Sequence, residues 1–192
     1  MTPATRKRKT VHYEDLNNIK TSKLTIIVAM AKRNVIGNKG VEGMLWHLPE
    51  DMQHFKKTTF ENICIFGRST FQNILEILGK PLPGRISIVL TKNKEWKCDY
   101  DNVFIVHSVR EALAKARKIQ KYGQKIFICG GEDVYKIFLP FADRVIATHI
   151  NTDIDGTAYF PELGKEWRVD SSEEHLSKTG MSYKFVTYKK RP

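Results

Sequence analysis

One carboxylate stands in the first turn of a predicted helix, on the side that also carries apolar residues. In the segment "GMLWHLPED" the proline favours the first helical position, which places Asp51 and Phe55 on one face, four residues apart. Glu50 and His54 lie on other faces and are expected to point to solvent. A first-turn acid can simply stabilise the helix dipole, but Glu50 can do so without leaving water. Because burial of an unpaired charge is costly, Asp51 is predicted to bind a polar partner.

Two strand–glycine–helix junctions have the composition of phosphate-binding sites. In "FGRST", Gly67 lets the backbone approach a ligand, the amides of Ser69 and Thr70 open a helix, and Arg68 adds a positive charge. In "ICGGEDVYKIF", two glycines allow a close pass of the backbone against a pyrophosphate. Each alone is also typical of a tight turn, and the second is not the GxGxxG fingerprint. Two such junctions in one small sheet favour a dinucleotide, which has several anionic groups.

A third segment, "KPLPGR", presents one arginine on a stiff backbone. Its two prolines and its glycine predict a rigid turn that delivers Arg85 at the start of the next strand. A guanidinium held in this way suits the two-point recognition of a carboxylate. The alternative is a surface arginine that follows a proline turn.

The positive charge of the chain is concentrated partly at its ends. Lysine and arginine number 32 against 21 acids, which gives a net charge of +11, and "RKRK" and "KKR" near the two termini contribute to it. This charge suits an anionic partner, whether nucleic acid, nucleotide cofactor or polycarboxylate substrate. A nucleic-acid-binding domain predicts basic residues interleaved with exposed aromatic ones, whereas the aromatic residues here lie mostly in apolar runs. We therefore expect no nucleic-acid partner.

Length and composition indicate one soluble domain. The 192 residues are enough for a single compact core, and no run approaches the roughly 20 apolar residues that span a bilayer, so no membrane partner is expected. Residues 1–22 are basic and polar, unlike a secretory signal, and are interpreted as a flexible basic extension before the folded domain of residues 23–192. Cys64, Cys98 and Cys129 lack metal-site spacing, which predicts free thiols in a reducing cytoplasm and no metal.

Strand and helix patterns alternate along the folded part of the chain. Apolar runs predict strands, and amphipathic stretches with capping residues predict helices between most of them. The predicted strands cover residues 24–31, 62–67, 86–91, 103–107, 125–129, 144–150, 167–172 and 182–190, and the predicted helices begin near residues 49, 69, 109 and 132. This order predicts a single α/β domain with a central, mostly parallel eight-stranded sheet, an antiparallel C-terminal edge strand and about four flanking helices.

In this order the motifs resemble those of the dihydrofolate reductase family, in its bacterial form. The resemblance runs from Leu24 to the C-terminus and comprises "IIVAMAKRNVIGN", "LWHLPEDMQHFKKTT", "IFGRSTFQNI", "PLPGR", "IFICGGEDVYKIFLP", "ATHI" and "FPE". It implies NADPH-dependent reduction of 7,8-dihydrofolate to 5,6,7,8-tetrahydrofolate, which supports one-carbon metabolism and thymidylate synthesis. We also expect a cytoplasmic monomer whose partner is this one small substrate.

The resemblance assigns the substrate site to the apolar face of the first helix. Asp51 would anchor the pterin through its amino group and ring N–H and assist its protonation, and Trp46 would contact the substrate through an ordered water. Arg85 would hold the glutamate carboxylate, and Thr148 would support the pterin amino group through water. The other implied substrate contacts are Val28, Ala29, Met52, Phe55, Ile74 and Leu82.

The resemblance assigns NADPH to the two glycine junctions and to neighbouring segments. The residues implied are Ala29, Ile36, Gly37, Gly67, Arg68, Ser69, Thr70, Leu90, Thr91, Lys92, Cys129, Gly130, Gly131, Glu132, Val134 and Tyr135. Among them, Arg68, Ser69 and Lys92 are the candidates for the 2′-phosphate. The glycine-containing segment 37–45 would be a lid over the nicotinamide, whose closure excludes water.

Several positions depart from the family pattern, and two other functions stay open. Leu45 replaces a proline in a lid that is two residues longer than usual, Asp133 stands where a basic residue is frequent, and Thr157-Ala158 replaces an acid–threonine pair that supports the lid. The NADPH-dependent pyrimidine reductase of riboflavin synthesis shares the fold but needs neither Asp51 nor Arg85. A folate- or nucleotide-binding protein without turnover is the other alternative.

Overall fold

The structure, a computed structural model, describes residues 23–40, 43 and 45–191. The predicted extension, residues 1–22, lies outside the described residues. The strands are β1 (Leu24–Met30), β2 (Val35–Gly37), β3 (Ile63–Gly67), β4 (Ile86–Leu90), β5 (Val103–Val106), β6 (Ile126–Ile128), β7 (Arg144–Ile150), β8 (Ala158–Tyr159), β9 (Trp167–Leu176) and β10 (Ser182–Lys190). The α-helices are α1 (Pro49–Thr59), α2 (Arg68–Leu78), α3 (Val109–Ile119) and α4 (Glu132–Phe138). Within the described ranges no helix is long and apolar enough to cross a membrane.

Eight strands form one sheet in the order β5-β4-β3-β6-β1-β7-β10-β9. The strands from β5 to β7 pair in parallel, whereas β10 pairs antiparallel with both β7 and β9. The mostly parallel sheet and its antiparallel C-terminal strand are therefore confirmed, with β9 outermost. β10 reverses direction because it follows β9 through a short connection instead of a crossover helix.

The sheet is covered on both faces, which explains the continuous apolar runs of its central strands. Successive residues of a strand point to opposite faces. Ile27 packs with Phe66 in the core beneath α1 and α2, whereas Ile26 packs with Phe138 in the core beneath α3 and α4. The carboxyl ends of β1, β3, β6 and β7 therefore meet at one edge between two helical layers, and the loops into α1, α2 and α4 begin around this edge.

Two features go beyond the sequence prediction. β2 and β8 form a small antiparallel sheet that pairs Val35 with Tyr159 and Gly37 with Ala158, and both strands are too short to show an alternating pattern. β9 continues to Leu176, past the predicted end at residue 172, because its mostly exposed residues carry little apolar signal.

Candidate active site

The predicted carboxylate lies near the carboxyl edge of the sheet with a hydrogen-bond donor beside it. The first turn of α1 directs Asp51 inward, so that only 7% of the residue is exposed. Thr148, near the end of β7, donates a hydrogen bond from Oγ1 to Oδ1 of Asp51 at 2.6 Å. Burial raises the pKa of Asp51, and the hydrogen bond from Thr148 partly opposes this rise. The second carboxylate oxygen has no hydrogen-bond partner among the described residues, which leaves it for a ligand.

Apolar side chains lie on the same face of the sheet as Asp51. Phe55 of α1, Ile74 of α2 and Leu82 are half-buried and pack against the core beneath α1 and α2. Ala29 is half-buried near the end of β1. Met52 is 51% exposed and borders the apolar face from the solvent side of α1. These residues give the carboxylate the weakly polar surroundings that its raised pKa reflects.

Val28 is the predicted substrate contact whose side chain faces away from the α1 layer. It packs in the core beneath α3 and α4, because the residues of β1 alternate between the two faces of the sheet. Ile27, which no motif singles out, lies on the α1 face with Phe66. The expectation that the Val28 side chain faces the α1 layer is therefore wrong, and Ile27 is the residue of β1 that faces this layer. Strict alternation along β1, with Ala29 on the α1 face, is the sequence signal that indicates this assignment.

The flank of α1 away from the cleft is also covered. His54, expected to point to solvent, is half-buried and stacks on Phe185 of β10 with 4.0 Å between ring centroids. That expectation was wrong because the helical pattern of α1 does not show that β9 and β10 lie against this flank. Glu50 is half-buried as well, and its Oε1 accepts a hydrogen bond from the backbone amide of Lys178 at 3.2 Å.

Trp46 is a buried residue with an unused hydrogen-bond donor. Its side chain is 8% exposed and packs with Val35, Leu48 and Ile150. Its indole Nε1 has no acceptor within the part of the chain that the structure describes. Because buried donors are normally paired, this nitrogen points to an acceptor that the described residues do not supply.

Arg85 is buried, 4% exposed, and held by the turn that precedes it and by the end of α1. Its Nη1 donates to the carbonyl of Pro83 at 2.6 Å, its Nη2 donates to the carbonyl of Lys56 at 2.6 Å, and Nε and Nη2 share Thr59 Oγ1 at 3.2 Å. A guanidinium has five N–H groups, so these four hydrogen bonds leave one on Nη1. Arg85 is thus well oriented, but a carboxylate that took two N–H groups would have to displace one of these partners.

The two glycine junctions meet on neighbouring strands. The amide of Gly67 donates to the carbonyl of Gly130 at 2.7 Å, and the Gly130–Gly131 peptide bond is cis. A Cβ atom at Gly67 would lie 3.0 Å from Val134 Cγ2, and one at Gly131 would lie 3.1 Å from Thr70 Oγ1. An added Cβ at either position would press on a neighbouring side chain, and the glycines form a cradle, here called the glycine cradle, beside the first turn of α2.

The residues predicted to bind the 2′-phosphate follow two neighbouring strands, β3 and β4, at the carboxyl edge of the sheet. Gly67 is paired in register with Leu90 on β4, so Arg68 and Ser69 start α2 next to the residues that follow β4, Thr91 and Lys92. Ser69 and Lys92 are exposed, Arg68 is half-buried and Thr91 is buried. The structure therefore brings two cations and a hydroxyl to one side of the glycine cradle.

Three predicted cofactor residues have side chains that are used within the protein. The hydroxyl of Tyr135 donates to the carbonyl of Ile27 at 2.8 Å in the buried core, and burial raises its pKa well above the ordinary value. Val134 packs beneath Gly67, and Cys129 is buried in the core beneath α1 and α2. Tyr135 and Val134 support the cradle from below, so any contact with a cofactor there falls mainly to the backbone.

The start of the lid is attached to the segment before β8. Of residues 37–45, Val41, Glu42 and Met44 lie outside the described residues. The amide of Lys39 donates to Thr157 Oγ1 at 2.8 Å, and the amide of Thr157 donates to Asn38 Oδ1 at 3.0 Å. Gly37 and the half-buried Ile36 belong to β2. Thr157 thus holds the lid although it replaces the acid that the family usually has there.

Glu132, the first residue of α4, carries a buried carboxylate between two lysines. Its side chain is 8% exposed, its Oε2 lies 2.8 Å from Nζ of Lys39, and its Oε1 pairs with Lys136. Hydrogen bonds from Lys136 and Lys39 lower the pKa of Glu132. The i,i+4 spacing indicates the Lys136 pair, but nothing in the sequence indicates that Lys39 of the lid reaches Glu132.

Comparison with known proteins gives one consistent result. The family model described as dihydrofolate reductase matches residues 23–190. Dihydrofolate reductase type 3 of Salmonella typhimurium is 34% identical over 167 residues, which cover 85% of this chain and 96% of that protein. Dihydrofolate reductase of Bacillus subtilis is 32% identical over 88% of this chain and 95% of its own length. A structure of the Enterococcus faecalis dihydrofolate reductase complexed with NADP(H) matches with a TM-score of 0.77 and 32% identity, and covers 88% of this chain and 97% of that one.

These matches cover both glycine junctions, the helix that carries Asp51 and the turn before Arg85. The buried carboxylate and the glycine cradle lie at the carboxyl edge of one α/β sheet, where open sheets of this kind bind their ligands. Sequence, architecture and site thus agree, and the chain belongs to the dihydrofolate reductase family.

Proposed function

We propose that this chain catalyses the NADPH-dependent reduction of 7,8-dihydrofolate to 5,6,7,8-tetrahydrofolate, with Asp51 as the anchor of the pterin. The observation that carries the proposal is the buried Asp51 carboxylate, with one oxygen held by Thr148 and the other open. The family gives the reaction and the cofactor NADPH. The pyrimidine reductase alternative needs neither the buried carboxylate of Asp51 nor the buried arginine at position 85, so neither residue favours it.

Asp51 acts on the substrate through hydrogen bonds and charge. Its carboxylate can accept both the amino N–H and the ring N–H of a pterin, a planar two-point match. Thr148 holds Oδ1 and so fixes the orientation of the carboxylate. A negative charge in weakly polar surroundings raises the basicity of the ring nitrogen that must be protonated, and water delivers that proton. Trp46, with its unpaired indole N–H, is suited to hold a water between itself and the substrate.

The glycine cradle and its rim fit NADPH. Because Gly67, Gly130 and Gly131 carry no side chains, a pyrophosphate can approach the backbone of the glycine cradle closely. Arg68, Ser69 and Lys92 stand where a 2′-phosphate would bind, and Thr70 opens α2 beside the cradle. When bound, the cofactor supplies the hydride. The lid, held by Thr157 and Glu132 at its start, excludes water from the reacting atoms.

The remaining expectations belong to the same proposal. The product supplies one-carbon metabolism and thymidylate synthesis, and the enzyme works as a cytoplasmic monomer in which residues 23–192 are the reductase domain and 1–22 an extension. Three cysteines without a disulfide, two of them buried, are consistent with a reducing compartment.

NADPH oxidation with and without dihydrofolate tests the reaction. Wild-type protein should oxidise NADPH only when dihydrofolate is present, and Asp51→Asn should lose at least about 99% of this rate, the loss typical of removing one preorganised polar group. Asp101→Asn, which changes an exposed acid, is the matched control and should keep wild-type activity. Wild-type protein without dihydrofolate-dependent oxidation would refute the reaction, and full activity of Asp51→Asn at neutral pH would refute the role of the carboxylate.

A further inference from the structure

A second concavity lies at the opposite edge of the sheet from Asp51. Its volume is about 930 Å³. Thr25, Phe127 and Ile146 form its floor on the sheet, and the second and third turns of α1 form one wall with His54, Lys57 and Thr58. None of the predicted substrate or cofactor residues lines this cavity.

The topology of the sheet gathers positive charge around this cavity. A cation precedes or opens each of three adjacent parallel strands, β6, β1 and β7, at their amino ends, and β10 runs the other way and ends there with two lysines. The last turns of α1 add another lysine above the floor. The seven cations are Lys23, Lys57, Lys125, Arg144, Lys189, Lys190 and Arg191.

Most of these cations form no ion pair with the described residues. Asp143 is the one acid in the lining, and its Oδ2 accepts a hydrogen bond from the amide of Leu24 at 2.9 Å. Lys189 pairs with Asp170 at 2.8 Å, and Lys190 donates to the carbonyl of Pro140 at 2.6 Å. The side chains of the other five cations have no hydrogen-bond or ion-pair partner in the described part of the chain. Asp170 also attracts Arg144, and Asp143 and Glu166 attract Lys190, but the seven cations outnumber these three acids, so a bound anion would relieve the repulsion between the cations.

We propose that the cavity binds a small molecule that carries clustered phosphate groups. Clustered phosphates carry several negative charges, and the seven cations can match them, five lysines as point charges and two arginines through paired N–H groups. The volume is in the upper range of ligand pockets and exceeds what a single phosphate fills. Nucleic acid fits less well, because the charge lies in a concave site and Phe127, the aromatic residue of the floor, is only 1% exposed and offers no face for stacking.

This site is separate from the reductase site. Arg144 at the cavity and Thr148 at the carboxylate lie four residues apart on β7, a distance of about 13 Å along the strand. His54 and Lys57 lie on α1, one to two turns after Asp51. A ligand in the cavity would therefore contact the helix that carries Asp51 without contacting the substrate.

Calorimetric titration of sodium tripolyphosphate into the full chain tests the proposal. Saturating NADPH is present throughout, so that the cofactor cradle cannot bind the probe. The Lys57→Gln/Arg144→Gln variant removes two unpaired cations of the cavity. The Lys97→Gln/Lys118→Gln variant removes the same charge from exposed lysines elsewhere. Dihydrofolate reduction is measured in parallel and is expected to be normal in both variants, which shows that they are folded.

We expect one saturable site on the wild type, with affinity reduced about tenfold or more in the cavity variant and less than about twofold in the control, because charge-assisted hydrogen bonds act only at contact. Absence of saturable binding, or equal weakening of both variants, would overturn the site. Equally tight binding of tricarballylate, a tricarboxylate, would overturn the assignment to phosphate. Tighter, cavity-dependent binding of a short DNA duplex would overturn the assignment to a small molecule.

Discussion

Nζ of Lys39 lies 2.8 Å from Oε2 of Glu132, and this ion pair joins the lid to the first residue of α4. Glu132 is the buried partner, and it directly follows the paired glycines of the cofactor cradle. The backbone of Lys39 is held from the other side by Thr157. The start of the lid is thus attached both to α4 beside the glycine cradle and to the segment before β8.

Lys39→Met removes the ion pair between the lid and α4 and is expected to weaken NADPH binding. The loss should be only about two- to fivefold, because the lysine is largely exposed and water screens the pair. Glu132→Gln should have a similar effect. The double variant should bind NADPH no more weakly than Glu132→Gln alone, since both changes remove the Lys39–Glu132 pair, and Glu132→Gln also removes the pair with Lys136. The dissociation constant is read from quenching of tryptophan fluorescence on NADPH addition. Additive losses in the double variant would show that Lys39 and Glu132 do not act together.

Lys136→Met is the matched control for this pair. It removes the partner of Glu132 that lies on α4 and leaves the lid contact in place. We expect a smaller effect on NADPH binding than that of Lys39→Met, because the contact between the lid and Glu132 remains. The Lys39–Glu132 contribution should fall as ionic strength rises, because one partner is solvent-exposed.

Asp51→Asn is expected to stabilise the fold at neutral pH, although it removes the carboxylate that is proposed to bind the pterin. Burial raises the pKa of Asp51, so the folded state holds the proton more tightly than the unfolded chain does. The stability due to this group is therefore fully present below the unfolded pKa of about 3.9 and is lost as pH rises through the folded pKa. Asparagine carries no charge, and its Oδ1 can still accept the hydrogen bond of Thr148.

Urea unfolding at neutral pH should therefore give a higher midpoint for Asp51→Asn than for the wild type. The difference should shrink as the pH is lowered below the unfolded pKa, where the wild-type carboxyl is protonated in both states. Asp101→Asn, at an exposed acid, should change the midpoint little at either pH. A lower midpoint of Asp51→Asn at neutral pH would contradict a penalty for burying this charge.

The elements that position Asp51 could be predicted because their signals are local. β1, β3 and β7 are apolar runs, and the proline that opens α1 fixes which residues share a face with Asp51. The partner of the carboxylate, Thr148, could be named only through the family resemblance. Its direct bond to Asp51 follows from the pairing of β7 beside β1, which no local pattern contains.

Contacts between distant elements could not be predicted in the same way. Lys39 and Glu132 come from a lid and a helix far apart in sequence, and each alone resembles a solvated surface charge. The helical pattern places His54 in solvent because the residue that covers it, Phe185, lies on the last strand. The orientation of Val28 is different, since strict alternation along β1 is a local pattern and is sufficient to indicate it.

Gly130→Ala is expected to destabilise the fold and the cofactor cradle together. Gly130 has φ of +105°, and a Cβ atom there would lie 3.0 Å from the ring and hydroxyl of Tyr135, which is hydrogen-bonded to Ile27. Gly123→Ala is the matched control, with φ of +82° and no atom within 4 Å of the added Cβ. The control should cost only the left-handed backbone, about 1–2 kcal/mol.

Gly130→Ala should add an overpacking cost of about 1–3 kcal/mol to that backbone cost. Urea unfolding of the two variants measures the difference, and NADPH titration shows whether the cradle survives. NADPH binding should be lost in Gly130→Ala and kept in Gly123→Ala. Equal unfolding free energies for the two variants would mean that Tyr135 moves aside without cost.

Arg68→Gln is expected to reduce the preference for NADPH over NADH. Arg68 emerges beside Lys92 at the rim of the glycine cradle, where it would pair with a 2′-phosphate. Its loss should lower kcat/KM for NADPH about tenfold or more and leave the value for NADH nearly unchanged, because NADH lacks that phosphate. Asp133→Asn removes a negative charge at the other glycine junction, on α4, and should raise kcat/KM for NADPH. Equal wild-type values for the two cofactors would contradict the assignment.

Arg85→Leu separates recognition of the substrate tail from support of the fold. The guanidinium makes four hydrogen bonds to Lys56, Thr59 and Pro83, so its loss leaves buried acceptors unpaired and should cost about 1–3 kcal/mol of stability. If Arg85 also binds the glutamate carboxylate, KM for dihydrofolate should rise about tenfold or more. Lys80→Leu, at an exposed cation before the same turn, is the control.

A purely structural role for Arg85 predicts a different pattern. A dihydropteridine without the aminobenzoylglutamate tail reacts at the same Asp51 but has no carboxylate for Arg85, so its KM should be the same in the wild type and in Arg85→Leu. If Arg85→Leu only loosened the end of α1, which carries Lys56 and Thr59, both substrates would lose affinity alike. A KM for dihydrofolate unchanged by Arg85→Leu would remove the tail-binding role, because the one remaining N–H of Arg85 would then contact no substrate.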